Sequence, residues 1–232
     1  MSCWQRWRSP SGCIFRQERD SGFPHCRNTA RRAFRAMTGE PVFVTGGTGY
    51  LGRALIETLL ARGYPVHALV RRGSEARLPL GARVAVGDAL DAESFAAAIP
   101  ARASIVHLVG TPHPNPSKAA EFVRVDLGSI RATARAAASA KASHIVYVSV
   151  AHPAPVMRAY IAARVEGEAL IVATGIAATI LRPWYVLGPG HRWPIVLAPL
   201  YALLRIIPTT RESAQRLGLV TREQVIASLV RA

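Results

Sequence analysis

From Pro41 onward, apolar residues alternate between two rhythms. Short runs rich in β-branched residues read as six strands, at Val42–Thr45, Val66–Val70, Arg83–Val86, Ser104–Val109, His144–Val150 and Ala178–Leu181. Between them the spacing turns helical, over Leu51–Arg62, Asp91–Ala98, Lys118–Ala140 and from Val156 to about Thr174. Parallel strands need crossover helices, so this order implies a parallel sheet covered on both faces. The strand runs are almost uninterrupted in apolar character, as strands buried on two sides should be. The expected fold class is α/β, a doubly wound parallel sheet with a small C-terminal region. Past Arg182 the pattern loosens into Pro- and Gly-rich sequence. The final "LGLVTREQVIASLVRA" reads as a short strand and a helix, with Thr221 as N-cap and Glu223 in the first turn.

The first strand runs directly into "GGTGYLG" (Gly46–Gly52), and the helical rhythm starts there. Glycines Gly46, Gly49 and Gly52 stand three apart. In a dinucleotide loop, glycines make a tight turn, let backbone approach a pyrophosphate, and let helix pack closely on strand. The phosphates then rest on free amides at the helix N-terminus. A glycine triplet alone also suits an ordinary strand–helix turn. Here strand, loop and helix all fall where the dinucleotide motif requires them. The second strand ends in Arg71 and Arg72. Arginine there accommodates a 2′-phosphate, where an acid would take the ribose hydroxyl, so NADP is expected, with NAD the alternative.

Composition changes this picture little. Half of the 232 residues are hydrophobic, enough for a full core. The formal charge of +15 invites a nucleic-acid reading, but residues 1–36 alone hold eight arginines against Glu18 and Asp20. Elsewhere the basic residues are single charges along helices, without the clustered bases and aromatics of a nucleic-acid surface, so no specific nucleic-acid partner is expected. The three cysteines, Cys3, Cys13 and Cys26, also lie in that first segment and match no metal-binding spacing. Residues 1–36 read as a targeting peptide, a basic arm, or upstream sequence preceding a start at Met37. The position of Met37, five residues before the first strand, favours the last. Trp193–Pro208 is apolar but carries three prolines and Arg205. It reads as a helix of the substrate region rather than a spanning segment, with association to a membrane surface the lesser alternative. A cytoplasmic protein is expected, its oligomeric state unread. The division expected is a 1–36 extension, a nucleotide-binding domain over 37–190, and a substrate segment over 191–232 that lacks a final strand.

"TGGTGYLG" with this placement resembles the extended and atypical short-chain dehydrogenase/reductases, in particular their NmrA-like, NAD(P)H-binding branch, and is similar to the NAD-dependent epimerase/dehydratases. The resemblance covers Pro41 to about Gly190 and implies a Rossmann fold. "GDALD" carries Asp88, which the resemblance sets against the adenine, beside Ala89. "HLVG" (His107–Gly110) follows the fourth strand, and "LRPWYVLGPG" the sixth. The cofactor contacts implied are Thr45, Gly46, Gly47, Thr48, Gly49, Tyr50, Leu51, Gly52, Arg71, Arg72, Asp88, Ala89, Leu108, Val109, Gly110, Arg164, Pro183 and Val186.

The family's chemistry uses a Ser that holds the substrate oxygen, a Tyr that moves the proton, and a Lys four residues later. Ser149 ends the fifth strand and Tyr160 follows in "YIAARVEGEAL". Helical spacing puts Tyr160 and residue 164 on one face. Position 164 is Arg rather than Lys. Arg164 can donate to ribose hydroxyls and favour a tyrosinate, but it cannot give up a proton, so a relay through it fails. The competing reading makes Tyr160 and Arg164 ordinary residues of a half-exposed helix, with Glu168 pairing Arg164 at i,i+4. His152 and His113 sit in loops near the expected pocket, and a loop histidine is usually solvated. No residue grouping suggests a metal. The expected activity is hydride transfer to or from a small, apolar carbonyl or alcohol, with Ser149, Tyr160 and Arg164 as the catalytic set. The alternative is a non-catalytic NAD(P)H-binding sensor or structural protein.

Overall fold

The computed structural model describes residues 39–152, 156–188 and 219–232. Six parallel strands form its main sheet: β1 (Val42–Thr45), β2 (Val66–Val70), β3 (Arg83–Val86), β4 (Ser104–His107), β5 (His144–Val148) and β6 (Ala177–Leu181). Their spatial order is β3-β2-β1-β4-β5-β6. The register places Phe43 of β1 beside His67 of β2 and Ile105 of β4. The chain reverses its direction of travel across the sheet between β1 and β4. In open α/β sheets, ligands bind outside the carboxyl ends of the strands at such a point.

Strand alternation divides the core in two. Phe43, Ile105, Ile145 and Tyr147 face one layer, where they pack with Phe95, Phe122, Ile130 and Ile171. Val42, Val44, Val106 and Val146 face the other, with Leu55, Ile56 and Leu59 of helix α1 (Tyr50–Ala61). The doubly wound α/β architecture expected from the strand and helix rhythm is the one observed. Two helical readings need correction. Asp91–Ala98 is two single 3₁₀ turns, Ala92–Ser94 and Ala96–Ala98, rather than one helix. Asp91 caps the first by accepting from the Glu93 amide, but the segment is too short for a sustained helical face. The long helix expected over Lys118–Ala140 begins as α2 (Ala119–Glu121), widens to π pitch over Phe122–Leu127, and continues as α3 (Gly128–Ser139). Such a widening inserts an extra residue per turn and re-aims the side chains on it. The next helix, α4 (Arg158–Ala173), carries Tyr160 and Arg164.

Beyond the main sheet, β7 (Tyr185–Leu187) pairs in parallel with β8 (Leu219–Thr221). The closing helix α5 (Arg222–Arg231) starts at a full capping box in which Thr221 and Gln224 satisfy each other's backbone. Its Val225, Ile226 and Leu229 join the α1 layer of the core. The 1–36 extension, the substrate segment from residue 191 to 218 and the helix expected over Trp193–Pro208 lie outside the described residues. Among the described residues no helix is long and apolar enough to cross a membrane.

The tightest point of this architecture is the glycine loop. Gly46 takes a positive φ of 75°, and Gly49 leads into α1 as its N-cap. A Cβ at Gly52 would lie 2.2 Å from the Gly46 carbonyl oxygen, so the first turn of α1 can sit on the loop only without a side chain there. Gly52→Ala is expected to cost about 1–3 kcal/mol. A urea midpoint equal to that of the unsubstituted protein would contradict this packing.

Candidate functional site

The glycine loop leaves α1 with an unusual start. Gly49 offers no side-chain cap, and no acid stands in the first turn. The first amides of a helix have no intrahelical acceptor, and here none of their partners is a side-chain cap. An uncapped, positive helix end at the sheet's reversal point suits an anion such as a pyrophosphate. The bare glycine backbone supplies the close approach. Thr45, Gly46, Gly47, Thr48, Gly49, Tyr50, Leu51 and Gly52 form one continuous strand–loop–helix segment, in which Thr45, Gly47 and Gly52 are buried. Arg71 and Arg72 are exposed just past β2, the strand next to β1. Asp88, also exposed, follows β3, and its carboxylate accepts from the Leu90 amide at 2.9 Å, with Ala89 half-buried between them.

A cavity of about 680 Å³ opens beside α1. Leu51, Leu108, Gly110, Pro183 and Val186 border it, and so do Ser149, Tyr160 and Arg164. The structure thus brings together the three residues singled out for chemistry with six of those singled out for the cofactor, Arg164 being in both sets, while Thr45, Gly46, Gly47, Thr48, Gly49, Tyr50 and Gly52 do not border the cavity. Val109, Arg71, Arg72, Asp88 and Ala89 are not among its walls. Val148, Val150, Met157 and Trp184 make the remaining wall largely apolar, while His113 and Asn115 stand at the edge of the loop after β4.

Arg164 is buried, and its partner is not the one expected from helical spacing. Its guanidinium donates to Asp126 Oδ1 at 2.5 Å and to the Val148 carbonyl at 2.9 Å. Glu168, four residues on, instead takes hydrogen bonds from Arg182 and Ser149. The i,i+4 pair is therefore replaced by a tertiary one. Asp126 lies on the π turn and is itself buried; its other oxygen accepts from the Thr111 amide at 3.1 Å and the Thr111 hydroxyl at 2.6 Å. Gly110 allows this pair to form, since a Cβ there would meet the Arg164 guanidinium at 2.2 Å. Burial opposes the charge on Arg164, but Tyr160, Tyr147 and Asp126 around it outweigh that and hold it charged. The guanidinium carbon stands 5.3 Å from the centre of the Tyr160 ring. Tyr160 is half-buried, its ring edge-on to Phe122 at 5.0 Å. The deeper Tyr147 is pushed up to about 12 by burial, which leaves it a neutral phenol.

His107, at the end of β4, is fully buried among hydroxyls. Its Nδ1 lies 2.9 Å from Thr45 Oγ1 and 3.0 Å from Thr133 Oγ1, and its Nε2 3.3 Å from Ser129 Oγ. Burial, and then the charge of Arg164, lower its pKa to about 3. It is a neutral strut tying β1 to α3. Residues the sequence reading missed are Asp126, Thr111 and the role of Glu168. One signal was available: Asp126 lies four residues from both Phe122 and Ile130, an acid on an otherwise apolar helical stripe. Among the described residues no group of His, Cys, Asp and Glu is placed to hold a metal ion.

The family model described as "NAD(P)H-binding" matches residues 46–193. A ceramide reductase from Caulobacter vibrioides is 31% identical over 196 residues, covering 82% of this chain and 59% of that protein. A farnesyl-dihydroquinoline-oxide ketoreductase from Stigmatella aurantiaca is 29% identical over 168 residues, covering 63% of this chain and 50% of that protein. The chain thus spans only between half and three fifths of these curated relatives. Among solved structures, a UDP-galactose 4-epimerase superposes with a TM-score of 0.62 at 19% identity, covering 82% of this chain and 70% of that one.

Two measurements check the electrostatics. Removing one member of a buried ion pair leaves an uncompensated charge, so Asp126→Ala should cost about 3–5 kcal/mol, with part regained on adding Arg164→Leu. For His107 the folded pKa is depressed from 6.5 to about 3, so the unfolded chain binds a proton that the folded one does not. Its contribution is complete above pH 6.5 and lost as pH falls toward 3. His107→Gln should therefore remove about 1.4 kcal/mol per pH unit from the acid slope of stability. Parallel slopes for the two proteins in urea titrations between about pH 4 and about pH 7 would contradict a neutral buried imidazole.

Proposed function

This chain belongs to the NAD(P)H-binding family and shares the Rossmann fold of the short-chain dehydrogenase/reductases and epimerases, and from that premise we propose that it is an NAD(P)-dependent oxidoreductase acting on a small, apolar carbonyl or alcohol. The observation that carries the reading is the shared cavity: Ser149, Tyr160 and Arg164 border the same space as Leu51 of the nucleotide helix and the loop after β4. The reductase names of the curated relatives support it, and two of those names include a lipid, ceramide, and a farnesyl group. The mostly apolar wall of the cavity agrees with a substrate of low polarity.

In this reading the α1 amides and the bare glycine backbone hold the pyrophosphate, while Arg71 and Arg72 favour a 2′-phosphate and hence NADP. The nicotinamide, when bound, supplies or accepts the hydride. Tyr160 donates the proton to the substrate oxygen or removes it, as the phenol that borders the cavity. Arg164 keeps a positive charge beside that phenol and retains N–H donors beyond the two that Asp126 and Val148 occupy. Trp184, Val150 and Met157 exclude water from one side of the space.

A second reading draws on Asp126. Its carboxylate offsets the charge that Arg164 would lend to Tyr160, and arginine passes on no proton. On this view the chain binds NAD(P)H without turnover, as a sensor or structural protein. NADPH consumption with a panel of aldehydes, ketones and quinones separates the two. Tyr160→Phe is expected to lower kcat/KM by about 10²–10⁴-fold while leaving NADPH affinity within about twofold. Tight NADPH binding without consumption of any substrate would select the sensor, and no binding of either coenzyme would remove both readings.

A further inference from the structure

Ser149 leaves β5 with its backbone fixed, since its amide donates to the Leu181 carbonyl of β6 at 2.7 Å. Its side chain is buried and borders the cavity, yet its hydroxyl does not use its proton there. It donates to Glu168 Oε1 at 2.6 Å. Glu168 is held in place by Arg182, whose Nε donates to Oε1 at 2.9 Å and whose terminal nitrogen donates to Oε2. His152 Nε2 stands 3.6 Å from Oε1. Burial alone would raise the pKa of Glu168, but hydrogen bonds from Arg182 and Ser149, with the charges of Arg182 and His152, bring it below its ordinary value. The group is a carboxylate, and a carboxylate only accepts.

A hydroxyl has one proton and two lone pairs. With its proton directed at Glu168, Ser149 can offer the cavity lone pairs alone. We infer that Glu168 is a positioning residue that accepts the hydrogen bond of the Ser149 hydroxyl and makes Ser149 a hydrogen-bond acceptor in the cavity, so that the group it holds is a hydroxyl, from a substrate alcohol or from Tyr160, and not a carbonyl oxygen. This deepens the proposed function and rests on its reading of the cavity bordered by Ser149 and Tyr160 as the substrate site. Stabilisation of a carbonyl then falls to Tyr160. Glu168 reaches Ser149 from α4 two turns beyond Tyr160, so one helix sets both the proton donor and the polarity of its neighbour.

The direct test is neutron diffraction from deuterium-exchanged crystals of the full chain, which locates the Ser149 deuteron without any assay. A deuteron on the line from Oγ to Glu168 is expected, and one pointing into the cavity, or carried on the Glu168 carboxyl, overturns the inference. Kinetics provide a second test, with decanol and NADP⁺ in one direction and decanal and NADPH in the other. In Glu168→Gln an amide can donate to Ser149 and release its proton. The KM for decanol should rise about five- to tenfold with kcat little changed, and the KM for decanal should not rise. The same substitution made on Ser149→Ala should have no further effect on either KM. Additive effects of the two substitutions would mean that Glu168 acts only through stability and would overturn the proposal. If neither compound is turned over by the unsubstituted protein, the proposed activity on such substrates fails, while the deuteron position still decides the role of Glu168.

Discussion

A buried positive charge organises the cavity end of this sheet. Arg164 sits under the cavity floor, out of reach of bulk water, and a charge there is tolerated only if its surroundings supply an anion and acceptors. Asp126 and the Val148 carbonyl do so. Each imposes a condition of its own. Asp126 reaches inward from the π-pitched stretch Phe122–Leu127, and its second oxygen gathers Thr111 from the loop after β4. Gly110 has to be bare because the guanidinium occupies the space a side chain would take. Helix α4, the α2–α3 segment, the end of β5 and the loop after β4 are therefore tied at one point, directly beside Tyr160.

A second carboxylate works on the same helix in a different manner. Glu168 is one turn past Arg164, but its partners are Arg182 and Ser149 at the ends of β6 and β5. Arg164 and Glu168, which could have paired along the helix, are instead matched to Asp126 and Arg182 from other elements. The sorting places a charge beside Tyr160 and an acceptor behind Ser149. Of these two cavity residues, Ser149 donates to the acceptor behind it and Tyr160 carries the guanidinium over its ring. Elsewhere the cavity is bordered without charge, by Leu51 of α1 and by Leu108, Val148, Val150 and Val186.

Much of this was legible in the sequence. The starts of β1 to β5 fall on the residues where their apolar runs begin, and α1 begins within one residue of its expected start. The glycine loop, the Thr221 cap and the α/β order were all readable because each depends on residues close together in the chain. Asp91–Ala98 was misread because a segment of that length carries too few positions to separate a helix from two tight turns. The π turn was misread because a single extra residue leaves an Ala-rich stripe almost unchanged.

What the sequence by itself determined is the alternation of elements and the place of the glycine loop between β1 and α1, and it singled out Ser149, Tyr160 and Arg164, which border one cavity. Hydrophobic period and steric need are local, and both are written in spacing. Only the tertiary structure decided which acid meets which base. Asp126 and Arg164 are far apart in sequence, as are Ser149 and Glu168, and the order of strands in the sheet brings them together. At helical spacing Glu168 and Arg164 were equally fit to pair. Burial chose otherwise, because each charge inside the protein settles where it satisfies the most hydrogen bonds, and that place exists only once β5, β6 and α4 have packed.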